Sequence, residues 1–474
     1  MAPPRPIGYW LREALAAEMP ESRYPAPLIG TVECDVAIVG GGYTGLWTAW
    51  HLTERAPGAR IVILEQETCG SGPSGRNGGF VHGWWDQLPY LVERFGDDRA
   101  LELARASDES VGAIGAFCEE NRVDAWYRRG GYLRTSASPA QDGDWDAAVA
   151  ACRRLGVADQ LVELTGEEVR ARCASPVMRG GALMPSGATV QPARLARGLR
   201  RAVLGRGVTI HELTRVNRIR ERNGSLWLEG DHGCVRTPQA VVAVNAWAAD
   251  WPRFRSSVLA WGSHIVLTEP VPELLADLGW TGGEAITDSR FTVSYFRTTP
   301  DGRVAFGAGV GAVGYGGRNN QRFDGDPGAE QRARASLARL LPTLAEARID
   351  DAWGGPIDVS PDRLPMIGSL AGGRLHFAHG YSGNGVAPAH LAGRILAALT
   401  DGGTDPVAQL PIVGRRVRRY PPEPFRYLGA RVIREALIRA DEAGDAGRHP
   451  NLLVRLLAGL PRLLGYRLGH AAPH

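Results

Sequence analysis

The sequence contains no lysine; all 54 of its Lys-plus-Arg positions are arginine. With no side-chain primary amine there can be no Schiff-base lysine and no internal pyridoxal-phosphate aldimine, which removes that class of covalent catalysis. A genome rich in G and C gives the same bias, but the chemical exclusion holds whatever its cause. Cysteine is also sparse. Cys34, Cys69, Cys118, Cys152, Cys173 and Cys234 are scattered, without C-x-x-C or zinc-ligand spacing, and read as reduced thiols. No run approaches eighteen uninterrupted apolar residues, so no membrane span is expected. The first thirty residues carry Pro, Arg and Glu but no apolar core of a secretory signal, and the expected location is cytoplasmic. A net charge of +3, with no basic stretch interleaved with stacking aromatics, argues against nucleic acid.

What is present is an ordinary globular balance, 44% hydrophobic and 22% charged over 474 residues, enough for two domains. The most informative stretch runs from Asp35 to Gly79. Val36-Ala37-Ile38-Val39 reads as a buried parallel strand. Gly40-Gly41-Gly42-Tyr43-Thr44-Gly45 follows at once and satisfies G-x-G-x-x-G. In that pattern Gly40 allows the tight turn, Gly42 lets backbone N–H groups approach a pyrophosphate, and Gly45 lets the helix sit close on the sheet. A second apolar strand, Ile61-Val62-Ile63-Leu64, ends in Glu65-Gln66, where a carboxylate would accept hydrogen bonds from ribose hydroxyls. Strand, helix, strand and acid in this order predict a Rossmann-like dinucleotide fold.

A second glycine-rich loop follows, Gly70-Ser71-Gly72-Pro73-Ser74-Gly75-Arg76-Asn77-Gly78-Gly79. Coming straight after the ribose acid, it is expected to lay backbone N–H groups and Arg76 against the same diphosphate. Nicotinamide dehydrogenases have no need of such a loop. Here the chain resembles the D-amino-acid oxidase and glycine oxidase superfamily of FAD amine oxidoreductases. The run Ser74-Gly75-Arg76-Asn77-Gly78-Gly79 is most similar to the gamma-glutamylputrescine oxidoreductase-like branch. The resemblance spans roughly residues 30 to 412.

The expected architecture is α/β, a Rossmann-like FAD-binding domain with a second domain of mostly antiparallel sheet and helices. The FAD-binding domain is assigned to 34–85, 175–252 and 353–412, and the substrate domain to 86–174 and 253–352. Residues 1–33 form a lead-in with a short amphipathic piece around Tyr9-Trp10-Leu11, and 413–474 a basic helical extension. Helical periodicity runs from about Leu88 to Asn121, and strands are expected at His264–Thr268, Phe291–Arg297 and Arg303–Gly307. The resemblance puts Val216 against the adenine and Asn245-Ala246 beside the cofactor. His379-Gly380-Tyr381-Ser382-Gly383-Asn384-Gly385-Val386 would form a turn and helix start whose N–H groups and dipole face the reduced flavin. A non-covalent FAD is implied, although His82 and Cys69 lie near the loop.

Amine oxidation by hydride transfer to flavin N5, followed by imine hydrolysis, is the activity the resemblance implies. It asks the protein mainly to orient a C–H bond and exclude water. His82, Tyr295, Arg297 and His264 are the catalytic candidates, with Trp84, Trp85, His379 and Tyr381 as further wall residues. Arg297 could equally pair a structural carboxylate. Ser382-Gly383 stands where amino-acid oxidases of the family set a carboxylate-binding arginine, so a primary or secondary amine is favoured over a free α-amino acid unless Arg297 or Arg318 substitutes. The electron acceptor is O₂ or another oxidant, with His82 and Arg318 the candidate charges for oxygen. The same cofactor fold also accommodates a dehydrogenase or hydroxylase acting on another C–H bond or alkene. A non-catalytic flavin-containing interaction protein is a third reading. The C-terminal arginines could face an anionic membrane, but packing on the body or in a homodimer is the commoner use of such a tail.

Overall fold

The structure is a computed structural model describing residues 8–18 and 27–467. Its organising element is a six-stranded sheet. In order it contains Met366–Leu370, Leu375–His379, Gln239–Val242, Val36–Val39, Ile61–Leu64 and Thr209–His211. Every pairing is parallel except that of the outermost Met366–Leu370. All four residues of both Val36–Val39 and Ile61–Leu64 are buried, as strands covered on both faces require. Helices Tyr43–Arg55, Pro192–Gly205 and Val386–Thr400 pack against one another on the sheet. A smaller four-stranded sheet holds Gly30–Glu33 parallel to Gly233–Thr237, so sheet structure starts within the segment expected to be a lead-in. Val216 lies in the loop before Arg218–Arg222 rather than in a strand.

The second sheet has eight strands and a single parallel pairing, Tyr132–Ser136 with Ala285–Asp288. It takes in Gly180–Met184, which pairs antiparallel with Tyr132–Ser136, and Ile349–Val359, which pairs with Leu259–Thr268. The expected boundaries at 174/175 and 352/353 therefore differ from the edges of this sheet. Backbone pairing, invisible in a local pattern, draws those two segments across. The helical stretch expected from Leu88 to Asn121 is two helices, Leu88–Phe95 and Asp97–Glu120, broken at Gly96 with φ 77°.

The N-terminal helix Tyr9–Ala17 docks through Trp10, fully buried and edge-on to Trp126 and Trp353. The C-terminal extension forms two packed helices, Phe425–Asp445 and Leu452–Leu463. The part of the expected extension beyond Arg467 lies outside the described residues. All six cysteines are free thiols. Among the described residues no helix is long and apolar enough to cross a membrane.

Candidate functional site

The parallel strands Val36–Val39, Ile61–Leu64, Gln239–Val242 and Leu375–His379 all end on one edge of the six-stranded sheet. The four loops that follow converge there, which is where open α/β sheets meet ligands. A cavity of about 1060 Å³ opens from this edge toward the eight-stranded sheet. It exceeds the ~300–1,000 Å³ usual for small-molecule sites, leaving room for a dinucleotide and a substrate together.

The first glycine turn is held by contacts that no side chain would tolerate. Gly40 has φ 110°, and a Cβ there would meet the Ala243 carbonyl at 2.3 Å; one on Gly45 would meet the Gly40 carbonyl at 1.9 Å. The helix Tyr43–Arg55 begins at Gly42 without a side-chain cap. Glu65, half-buried at the end of its strand where it lines the cavity, accepts from the N–H of Gly41 at 2.7 Å and of Glu67 at 2.9 Å. Burial pushes its carboxyl up to about 7, because little solvent is left to stabilise the anion. Gly40, Gly42, Tyr43, Thr44, Glu65, Gln66 and Val216 line the cavity, whereas Gly45 sits behind the turn.

The second loop is stitched to the first. Tyr43 N–H donates to Ser74 Oγ at 2.9 Å, and Gly70 N–H to the Gly41 carbonyl at 3.2 Å. Asn77 braces the loop internally. Its amide donates to the Pro73 and Ser74 carbonyls and its Oδ1 accepts from Gly79 N–H. Ser74, Arg76, Asn77 and Gly78 line the cavity; Gly75 and Gly79 pack behind. Arg76 differs from expectation. Its Nη1 donates to Asp324 at 2.8 Å and to the Gly354 carbonyl at 3.2 Å, and its Nε to the Ser71 carbonyl at 2.7 Å. A guanidinium bonded to a buried carboxylate fastens the loop to the other half of the molecule.

The last loop is organised by Asp358, which the sequence reading passed over. Its carboxylate accepts from Gly380 N–H at 2.5 Å and Tyr381 N–H at 3.1 Å, and burial raises its pKa to about 7. The only local signal for it was its place in the run leading back to the sheet. Tyr381 Oη meets Thr44 Oγ1 at 2.7 Å, joining the starts of helices Tyr43–Arg55 and Val386–Thr400. Ser382 (φ 57°), Gly383, Asn384, Gly385 and Val386 line the cavity, and the helix Val386–Thr400 opens at Gly385 with no side-chain cap. Asn245 lines the cavity with φ 47°, its Oδ1 accepting from Ala246 N–H. Ala246 and Gly380 lie behind the lining.

On the far side His82 is buried and stacked on Tyr132, with ring centroids 4.2 Å apart. Its Nδ1 lies 2.9 Å from the Gly83 carbonyl, which can only accept, so Nδ1 carries a proton. Tyr295 lines the cavity and its Oη pairs with Ser263 Oγ at 2.7 Å. His264 does not line it. Side chains alternate along Leu259–Thr268, so Trp261, Ser263 and Ile265 face the cavity while His264 turns to the other face and accepts from Asp326 N–H. Arg297 is also displaced from the cavity. It is fully buried behind the second glycine loop, donating to the Gly78 and Val190 carbonyls at 2.7 and 2.6 Å, with Trp10 under its guanidinium. Its hydrogen-bond partners are carbonyls, so the carboxylate alternatives fall away together.

Trp84, Trp85 and His379 are buried outside the lining, and burial pushes His379 down to about 3. Cys69 is enclosed away from the cavity, and Arg318 lines a separate surface hollow with Asp250, Arg255 and Glu423. The missed contributors come from Arg363 and the C-terminal extension. Tyr420, Phe425, Leu437, Leu460 and Arg467 supply a wall of the cavity. That wall is long-range packing with no local sequence signature.

The two helix starts at Gly42 and Gly385, the paired glycine loops and the Glu65 carboxylate at the strand end form a cradle that fits FAD. A family model described as FAD dependent oxidoreductase matches residues 35–399. Gamma-glutamylputrescine oxidoreductase of Escherichia coli is 31% identical over 410 residues, covering 84% of this chain and 92% of that protein. The probable oxidoreductase OrdL of Rhizobium meliloti is 30% identical, covering 83% and 89%. Among solved structures, glycine oxidase from Geobacillus kaustophilus superposes with a TM-score of 0.67 at 23% identity, over 81% of this chain and 99% of that one. Geometry and matches agree that the enzyme uses FAD, and that the chain belongs to the FAD dependent oxidoreductase family.

Proposed function

We propose that this enzyme oxidises the C–N bond of a primary or secondary amine that also carries an anionic group, using non-covalently held FAD. Relatives named for gamma-glutamylputrescine, sarcosine and glycine support the C–N chemistry. The observation that carries the substrate class is Arg363. Its backbone is in the left-handed region at φ 65°, and its side chain lines the cavity. It donates a single long hydrogen bond, 3.2 Å, to the Ser382 carbonyl. The adjacent carboxylate, Asp362, is taken by Arg415. Burial, and next the Arg467 guanidinium, lower Arg363 to about 10, which still leaves a cation at neutral pH with no carboxylate partner among the described residues. An anion on the substrate supplies that partner.

Bound FAD supplies the acceptor for the hydride leaving the carbon next to nitrogen. In the neutral ring, His82 Nε2 takes the ammonium proton so that the amine reacts as the free base. Tyr295 and Tyr132 wall the cavity, exclude water and fix the C–H bond. Loss of a charged hydrogen bond is worth about 1.5–3 kcal/mol. Arg363→Met is therefore expected to raise KM for anionic amines by roughly ten- to a hundredfold, with neutral amines little changed. An amine panel scored by anaerobic flavin bleaching tests the reading. A panel in which no amine bleaches the flavin refutes the C–N assignment, and equal KM changes for both classes refute the role of Arg363.

A further inference from the structure

The helix Leu452–Leu463 is seated on the body by Val454 and Pro461 and leaves its other side bare. Leu452, Leu453, Leu456, Leu460, Leu463 and Leu464 are all exposed, Leu463 at 81%. At 100° per residue they fall within an arc of about 120°, with Val454 and Pro461 on the opposite side. Exposed Arg455 and Arg462 border the arc on one edge. From Ala446 to the end of the sequence there are four arginines and no acid. Burying such a leucine face within this molecule would be routine; here it is turned outward, contiguous with Leu460 and Leu464 at the cavity wall.

We propose that this helix docks the enzyme on an anionic lipid surface, leucines in the acyl boundary and arginines at the headgroups. A wide apolar face bordered by arginine alone is the pattern that such a surface complements. A second copy is a poorer match, because a two-fold pairing of this face would set arginine against arginine. The helix is too short to span a bilayer, so the contact is peripheral.

The experiment uses full-length holoenzyme with vesicles of phosphatidylcholine alone or mixed with phosphatidylglycerol. Co-sedimentation is expected only with the phosphatidylglycerol vesicles and should fall with added salt. Arg455→Glu with Arg462→Glu should weaken it by at least roughly tenfold. Leu456→Ser with Leu463→Ser should weaken it too, while flavin content and dye-coupled turnover stay at wild-type values in both variants. These four residues stand outside the cavity. Absence of co-sedimentation overturns the proposal, as does binding indifferent to both double variants. A dimer abolished by the leucine variant, with no vesicle binding, would assign the face to a second copy instead.

Discussion

Arg76 Nη1 and Asp324 Oδ1 lie 2.8 Å apart, with side chains 6% and 1% exposed, and they bind the second glycine loop to the segment before helix Pro327–Leu340. Removing one member of a buried pair strands the other charge, at about 3–5 kcal/mol. Asp324→Ala is expected to lower the melting temperature by several degrees and to release FAD on gel filtration. Thermal unfolding and flavin absorbance check both effects. A variant that keeps its flavin would mean that the loop stands without its anchor.

Glu65 lies where ribose hydroxyls are expected. Its replacement by Ala should weaken FAD binding by about 2–3 kcal/mol, the worth of one or two charge-assisted hydrogen bonds.

The same residue predicts a proton linkage. Without ligand, burial holds the Glu65 carboxyl up at about 7 from an ordinary 4.5, so between those values the folded protein binds more protons than the unfolded chain. Its contribution to stability therefore falls as pH rises through that window. Asp358, raised from 3.8 to about 7, acts with the same sign. Hydroxyl donors favour the charged Glu65, so FAD binding near pH 6–7 should release protons and tighten as pH rises. Calorimetry in buffers of different ionisation enthalpy reads this directly, and an enthalpy independent of buffer would contradict it.

Acid precipitation should leave a colourless pellet and an intact mass equal to that of the polypeptide. Cys69 is enclosed away from the cavity with its thiol pushed well above the ordinary range by burial, and His82 Nδ1 is spent on the Gly83 carbonyl. A yellow pellet would point to His82 Nε2 as the attachment atom.

Oxygen should be a poor acceptor. Superoxide formation is helped by a compact fixed cation near the flavin; the chain has no ammonium side chain, and Arg318 lines a separate hollow. Anaerobically reduced enzyme mixed with air-saturated buffer should reoxidise no faster than free reduced flavin. Faster reoxidation that disappears in Arg363→Met would transfer the role to that guanidinium.

The cofactor half was legible because its signals are local. Gly45 is fixed by the Gly40 carbonyl five residues back, and the strand before the turn shows as an unbroken apolar run, although Gly40 itself is held against distant Ala243. The substrate half was misread where one residue of register mattered. The strand expected to begin at His264 begins at Leu259, and the cavity-facing set is Trp261, Ser263 and Ile265. Arg76 and Arg297 carried the right charge for a ligand but are consumed by Asp324 and by backbone carbonyls. Those partners are distant in sequence, and so is the wall supplied by Tyr420 and Leu460.

The placement of Leu375–His379 between Met366–Leu370 and Gln239–Val242 also sets a timetable for synthesis. One edge of Gln239–Val242 has no neighbour until that later strand has been made. At the ~5–20 residues per second of translation, the interval is on the order of ten seconds. For that time the nascent chain carries an open, largely apolar strand edge able to pair with another exposed strand. The flavin cradle cannot close until its final helix emerges. The yield of soluble yellow protein is therefore expected to rise when that edge is shielded during synthesis.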